Sequence, residues 1–440
     1  MATNPRDAFI EACVWYGPLE PAAAILAEHP EIAGSDIYTA ALLGDDAAVR
    51  RFLAADPGSA TAKGGPRGWD ALTYLCFSKY LRLDRSRTAG FVRAATSLLD
   101  AGASANTGFW ELDHQPKPEW ESVIYGAAGV AFHPEMTRLL LGRGAEPNDE
   151  ETPYHSPESY DNAALQVLVE SGKLTADSLA MMLVRKADWH DLDGIRYLLE
   201  HGADPNRMTR WHVTPFHHAL RRDNRLANIE AMLDHGADAT LPRGDGRSAI
   251  AVAARRGRAD VLAALDRRGI ATELAGVDSL IAACARNDAE RAPAIAENHP
   301  ELLRQLIEEG GTVLAEFAGT GNTPGVRCLL DLGIDPRALY AEGDGYFGIA
   351  RNSTALHVAA WHAMHSTVKL LIERGTPVDA LDGRGRTALA LAVLACVDSY
   401  WTNRRSPESV EALLGAGASL TGVKFPSGYA EVDELLRAAT

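Results

Sequence analysis

The chain has 440 residues and a formal net charge of −16, and its arginines gather only in short runs (Arg221, Arg222 and Arg225; Arg255, Arg256 and Arg258; Arg404 and Arg405) that read as solvated helix faces, so nucleic acid is not an expected partner. Hydrophobic residues at 46% beside 23% charged ones supply enough apolar surface for a continuous core and exclude disorder as a global state. Five scattered cysteines without a CxxC pair speak against a disulfide framework or a cysteine zinc site; with no export leader at Met1 to Phe9 and no apolar run of about 18 residues, a cytoplasmic chain without a membrane span is expected.

From the N-terminus, residues 7–33 read as a capping helix pair and 37–57 as a clearer unit of two short helices. Units at 71–106 and 123–148 follow, then an eroded copy at 154–177 and regular units across 187–268. A second eroded copy spans 278–306, where NHPELL echoes EHPEIA at 28–33, and 431–439 reads as a final amphipathic helix sealing the last layer. The units end alike, as LLDAGAS at 98–104, LLEHGADPN at 198–206, MLDHGADAT at 232–240, LIERGTPVD at 371–379 and LLGAGASLT at 413–421. In each, a glycine suited to the left-handed conformation stops an apolar helix and a turn begins. Gly202 to Gly236 is 34 residues and Gly236 to Gly269 is 33, so one unit recurs.

Unit starts agree with the endings. Thr214, Ser248, Ser353 and Thr387 each open an alanine- and leucine-rich helix, where a hydroxyl side chain caps a free backbone amide and alanines keep the helix thin enough to stack. With TPFHHAL from Thr214 and STALHVAAWHAMHSTVKLLIERGTPVDALDGRGRTALALA from Ser353 in view, the sequence resembles the ankyrin repeat, in a degenerate, insertion-containing array of the bacterial type. The resemblance implies an all-α solenoid of stacked helix-turn-helix units with short β-hairpin fingers. Roughly eleven units are expected, in five stretches (1–68, 69–177, 178–276, 277–352 and 353–440) of one continuous array.

The departures from the repeat carry the functional reading. Thr354 lies 17 residues before Leu371, but Thr387 lies 26 before Leu413 and Asp70 lies 28 before Leu98. About nine and eleven extra residues thus separate the helices of those units, as ACVDSYWTNRRSPES and FSKYLRLDRSRTAGF, both rich in Tyr, Arg and Asp. TGFWELDHQPKPEWES at 107–122 replaces a short hairpin, either as a longer finger covering its own apolar surface or as a ligand contact, and the acidic, turn-rich 149–162 reads as a solvated loop.

A thin Ala/Leu core has little room for indoles, so Trp69, Trp110, Trp120, Trp189, Trp211, Trp361 and Trp401 are expected at helix ends, fingers and insertions. Tryptophan and arginine dominate binding hot spots. The candidate groove set is Trp69, Tyr80, Arg82, Trp110, Trp189, His190, Arg210, Trp211, His218, Trp361, His365, Tyr400, Trp401 and Arg404. Each tryptophan can equally seal a loop against the stack.

His357, His362 and His365 share a helix, but 362 points away from 357, and the resemblance assigns His217 and His357 a structural hydrogen bond, so no metal is expected. Asp188, His190 and His218 could supply acid–base groups, yet no nucleophile elbow, P-loop, dinucleotide glycine pattern or HExxH accompanies them, and no catalytic residue or cofactor is assigned. The preferred reading is a non-catalytic scaffold binding a protein or peptide; the alternative is an enzymatic or small-molecule pocket closed by the insertions.

Overall fold

The computed structural model describes residues 4–399 and 401–439. The chain forms two compact units, Met1–Ala237 and Asp238–Thr440, and the boundary falls inside the regular 178–276 stretch. Each unit is a stack of antiparallel helix pairs. In the first they begin with Pro5–Cys13 and Glu20–Glu28, continue through Ile37–Leu42 and Asp46–Ala55, and end with Ala176–Asp188 and Leu192–Glu200, then Pro215–Arg221 and Leu226–Asp234. In the second they run from Ala249–Arg255 and Ala259–Arg267 to Ala388–Asp398 and Glu408–Gly415, followed by the terminal helix Ala430–Ala438.

The hydroxyl caps form as the sequence requires. Thr214, Ser248, Thr354 and Thr387 each accept the amide of the residue three positions on. Helix Ala355–Trp361 packs between Pro300–Thr320 on one side and Ala388–Asp398 on the other, with Ala359 and Ala360 wholly buried. At the far end of a unit, Gly202 has φ +92° and open space where a Cβ would stand, so glycine is needed there for its conformation.

His357 fastens one finger to the next. Thr354 Oγ1 lies 2.8 Å from its Nδ1, while its Nε2 lies 2.9 Å from the Ala380 carbonyl and 3.1 Å from that of Arg386. Burial pushes its pKa down, so the ring is neutral, with Nε2–H donating to the carbonyls and Nδ1 accepting from Thr354. Thr214 and His217 repeat the contact at 2.8 Å.

Two expectations are corrected. The 149–162 segment is not a solvated loop: Asp149 accepts the Thr152 amide at 2.6 Å, and helix Glu151–His155 follows with Glu151, Thr152 and Pro153 buried against Ala176–Asp188. It is the inner helix of a repeat, paired with Ala163–Glu170. The insertion after Cys76 is also largely helical, as Lys79–Leu83, a 3-10 turn Arg85–Arg87 and the start of Thr88–Asp100. Ser78 makes this possible by accepting the Tyr80 amide while its hydroxyl donates to the Leu42 carbonyl at 2.6 Å.

Replacing His357 with Ala leaves two finger carbonyls and the Thr354 hydroxyl without their partner, and should cost about 2–3 kcal/mol. Urea unfolding of His357→Ala beside the exposed His299→Ala measures this; equal midpoints for the two variants would contradict it.

Candidate functional site

Of the N-terminal candidates, Trp69 and Tyr80 are core. Trp69, 5% exposed, stacks on Phe109 with centroids 4.0 Å apart and meets Tyr74 and Phe77 at 5.2 and 5.8 Å. Tyr80 is buried under the Arg87 guanidinium, and Arg82 donates to the Gly17 carbonyl at 2.8 Å beside the Tyr16 ring. The reason lies in the 107–122 insertion, which folds as a hairpin of strands Gly108–Glu111 and Glu119–Ser122 pairing Phe109 with Glu121 and Trp110 with Trp120. Successive side chains alternate faces, so Phe109 and Glu121 turn inward while Trp110 stays 58% exposed against Trp120, 5.4 Å away. Room for an aromatic layer is thus made by a longer finger.

Behind that hairpin runs a chain of charges along the ends of the inner helices of the first unit. His155 donates to Glu151 and Glu158, both at 3.0 Å. Glu158 and Asp188 both pair with Arg185, whose guanidinium lies 4.1 Å over the Tyr154 ring. Asp188 also receives His218 Nε2 at 2.7 Å and Arg222 Nε at 2.8 Å. Gly129 allows the approach of neighbouring helices: a Cβ there would stand 2.9 Å from that of His155. His218 is therefore a buried link in this chain, and burial pushes its pKa down. Trp189 packs edge-on against Tyr160 at 5.3 Å, and His190 takes φ +52° in the turn after it.

Arg210 and Trp211 are the candidates that remain on the surface together. Trp211 is 42% exposed, 6.1 Å from the Tyr154 ring and under the Arg210 guanidinium at 5.1 Å. Arg210 pairs with Glu150 at 2.7 Å across a cleft of about 330 Å³, whose apolar wall is Pro153, Ala180, Met181 and Met208 and whose rim holds Asp149 and Asp177. Sequence reading missed Glu150, Tyr154 and Met208. The available signal was Thr152-Pro153-Tyr154-His155, a Thr-Pro-Leu-His start with Tyr in place of Leu.

In the second unit, Trp361 donates its indole N–H to the Phe347 carbonyl at 2.6 Å, and Trp401 lies over Phe347 and His362 at 5.7 and 4.1 Å. The Arg404 guanidinium sits 5.6 Å from the Trp401 ring. His365 contacts Ser409 Oγ at 2.7 Å and the Arg404 carbonyl at 3.0 Å. The insertion thus folds back on the finger before it, and both tryptophans are half-buried seals. Tyr400 lies outside the described residues.

Residues 181–274 match the family model for ankyrin repeats in three copies, and residues 351–383 match the single ankyrin repeat. Those two stretches are ankyrin repeats. The chain is 38% identical over 106 residues to serine/threonine-protein kinase 12 of Arabidopsis thaliana, a match covering 24% of this chain and 21% of that protein, so it spans about a fifth of that relative's length. Among solved structures it is similar to the human ASB11 ankyrin repeat domain, at 21% identity and a TM-score of 0.27, covering 60% of this chain and 96% of that one. No helix among the described residues is long and apolar enough to cross a membrane.

In this ankyrin-repeat array two buried groups hold protons unusually tightly. Burial, reinforced by Glu151, pushes Glu121 up to about 8, and its Oε2 has no hydrogen-bond partner. For His155, burial alone would lower the pKa, but the hydrogen bonds it donates to Glu151 and Glu158 prevail and raise it to about 9. The folded chain therefore keeps a proton on Glu121 that the unfolded chain releases near 4.5, and one on His155 released near 6.5. Stability falls as pH rises through both windows. Glu121→Gln removes the first contribution, so at about pH 8.5 it should be more stable than wild type by on the order of 1–3 kcal/mol, the advantage vanishing toward pH 4.5. Urea unfolding across that range reads the difference; parallel curves for the two proteins would contradict it.

Proposed function

We propose that the chain is a non-catalytic protein-recognition scaffold, and that the inner-helix side of Met1–Ala237 binds a partner segment carrying an apolar anchor beside a basic residue. The observation that carries this reading is the exposed pair Trp211 and Met208, 42% and 44% open to solvent, beside an apolar cleft with an acidic rim. A rigid tryptophan next to a flexible methionine offers large contact area at low entropic cost, and the net charge of −16 steers a basic partner toward it. Arg210 and Arg207 already neutralise Glu150 and Asp177, so the field of the whole chain is what favours the incoming cation. The five free thiols suit a reducing compartment such as the cytoplasm.

The alternative, a small-molecule or enzymatic pocket, draws less support. Glu150 and Asp177 are engaged with arginines, and the Asp188–His218 pair lies buried within a structural network away from the cleft lining.

Selection of a random peptide display library on the full chain tests the proposal. The expected enriched motif pairs a large apolar residue with Lys or Arg, and Trp211→Ala should weaken the selected peptides at least about tenfold, with Met208→Asp weakening them further. Enrichment of acidic peptides, or affinities unchanged by both substitutions in folded variants, would refute it.

A further inference from the structure

In the first unit, the Trp15–Gly17 turn is fastened beside the insertion that follows Cys76: Val14 bridges to Ser78, and the Trp15 amide donates to the Phe77 carbonyl at 3.1 Å. Lys79 and Arg82, three residues apart and so on one face of helix Lys79–Leu83, both reach this turn. The Arg82 guanidinium donates to the Gly17 carbonyl at 2.8 Å and lies 5.4 Å from the centre of the Tyr16 ring. The Lys79 ammonium stands 3.7 Å from where a Cβ on Gly17 would be. Two cations thus converge on one residue of a chain whose net charge is −16.

Neither cation meets a carboxylate. Among the described residues the Lys79 ammonium has no hydrogen-bond or ion-pair partner, although the residue is only 8% exposed, and Arg82 Nε is enclosed without one. The acids whose fields reach Tyr16 give no compensation: burial keeps Glu121 protonated up to about pH 8, and Glu158 is held by His155 and Arg185. Burial likewise keeps the proton on the Cys13 thiol near Lys79, and Asp84 pairs with Arg87. Lys186 is the contrast: equally buried, it is matched by Asp191 at 2.8 Å. Holding buried positive charge without a counter-charge costs stability, so the pair is built at the expense of the fold.

We propose that Lys79 and Arg82 form a binding site for a phosphate monoester, its dianionic head between the ammonium and the guanidinium and its organic group on Tyr16. Charge selects the head: a dianion matches two uncompensated cations, whereas a carboxylate balances one and leaves the other buried and bare. Tyr16, 47% exposed, supplies the surface for the organic group. The site shares no residue with the cleft beside Trp211 and stands independently of the reading proposed for that cleft.

The probe is phenyl phosphate, titrated calorimetrically into the full chain at neutral pH and low salt, beside inorganic phosphate and acetate. One equivalent should bind, more tightly than inorganic phosphate and at least about tenfold more tightly than acetate. Lys79→Met and Arg82→Met should each weaken it at least about tenfold, while Lys63→Met, which removes an exposed lysine of equal charge, leaves it unchanged. Arg82→Lys, which keeps a donor toward Gly17, replaces Arg82→Met if that chain does not fold, and should weaken binding about threefold. A second readout separates a ligand site from a structural contact. Without phosphate, Lys79→Met should unfold at a higher temperature than wild type, because an unpartnered buried charge is gone; phenyl phosphate should then raise the midpoint of wild type only. No binding, acetate as tight as phenyl phosphate, an equal loss in Lys63→Met, or a Lys79→Met chain less stable than wild type would overturn the proposal.

Discussion

An inner helix that must pack on both flanks against helices like itself has almost no volume to spare. Ala359 and Ala360, wholly buried between neighbouring helices, show the consequence: along the middle of the helix only small residues fit. Such a core buries little apolar area per residue, so cohesion between neighbours must be supplemented elsewhere. Here it comes from the ends of the helices. At the N-terminal end the Thr354–His357 pair ties the helix to the carbonyls of the following finger. At the C-terminal end ions do the equivalent work, joining Glu151, His155, Glu158, Arg185, Asp188, His218 and Arg222 across successive repeats of the first unit.

The same constraint sets where large side chains go. Trp69 and Phe109 stack only because a long hairpin covers them, and Trp401 is accommodated only because an insertion carries it over Phe347. Insertions therefore serve stability first. Of the aromatic candidates among the described residues, Trp110 and Trp211 are the ones left broadly exposed, one at a hairpin and one at a finger.

Much of the fold was legible in the sequence because the repeat advertises its ends: a hydroxyl cap, a run of alanine and leucine, and a glycine in a left-handed turn are local requirements, visible without knowing what packs where. The site was less legible because it depends on which faces meet. Trp69 and Tyr80 carry the composition of a binding surface, yet their burial follows from Phe109 arriving from a distant hairpin and from Ser78 capping a helix inside an insertion. The helix at Glu151–His155 was hidden by its brevity and acidity, although Thr152-Pro153 marks its start.

A network that fastens the inner helices also limits what that side can recognise. His155, Arg185 and Arg222 are committed to carboxylates of their own chain, so a partner gains little by approaching them: each new ion pair breaks an old one, and desolvating a paired charge costs more than the exchange returns. The same argument applies more weakly at the surface, where a basic partner must displace Arg210 from Glu150 in high dielectric, a trade close to neutral. On the proposed reading, net affinity then rests on apolar contact with Met208 and Trp211, while charge governs how fast and in which orientation the partner arrives. On that reading affinity is carried by the finger-side residues that the stack does not need for its own cohesion, which would leave them free to vary without loosening the fold.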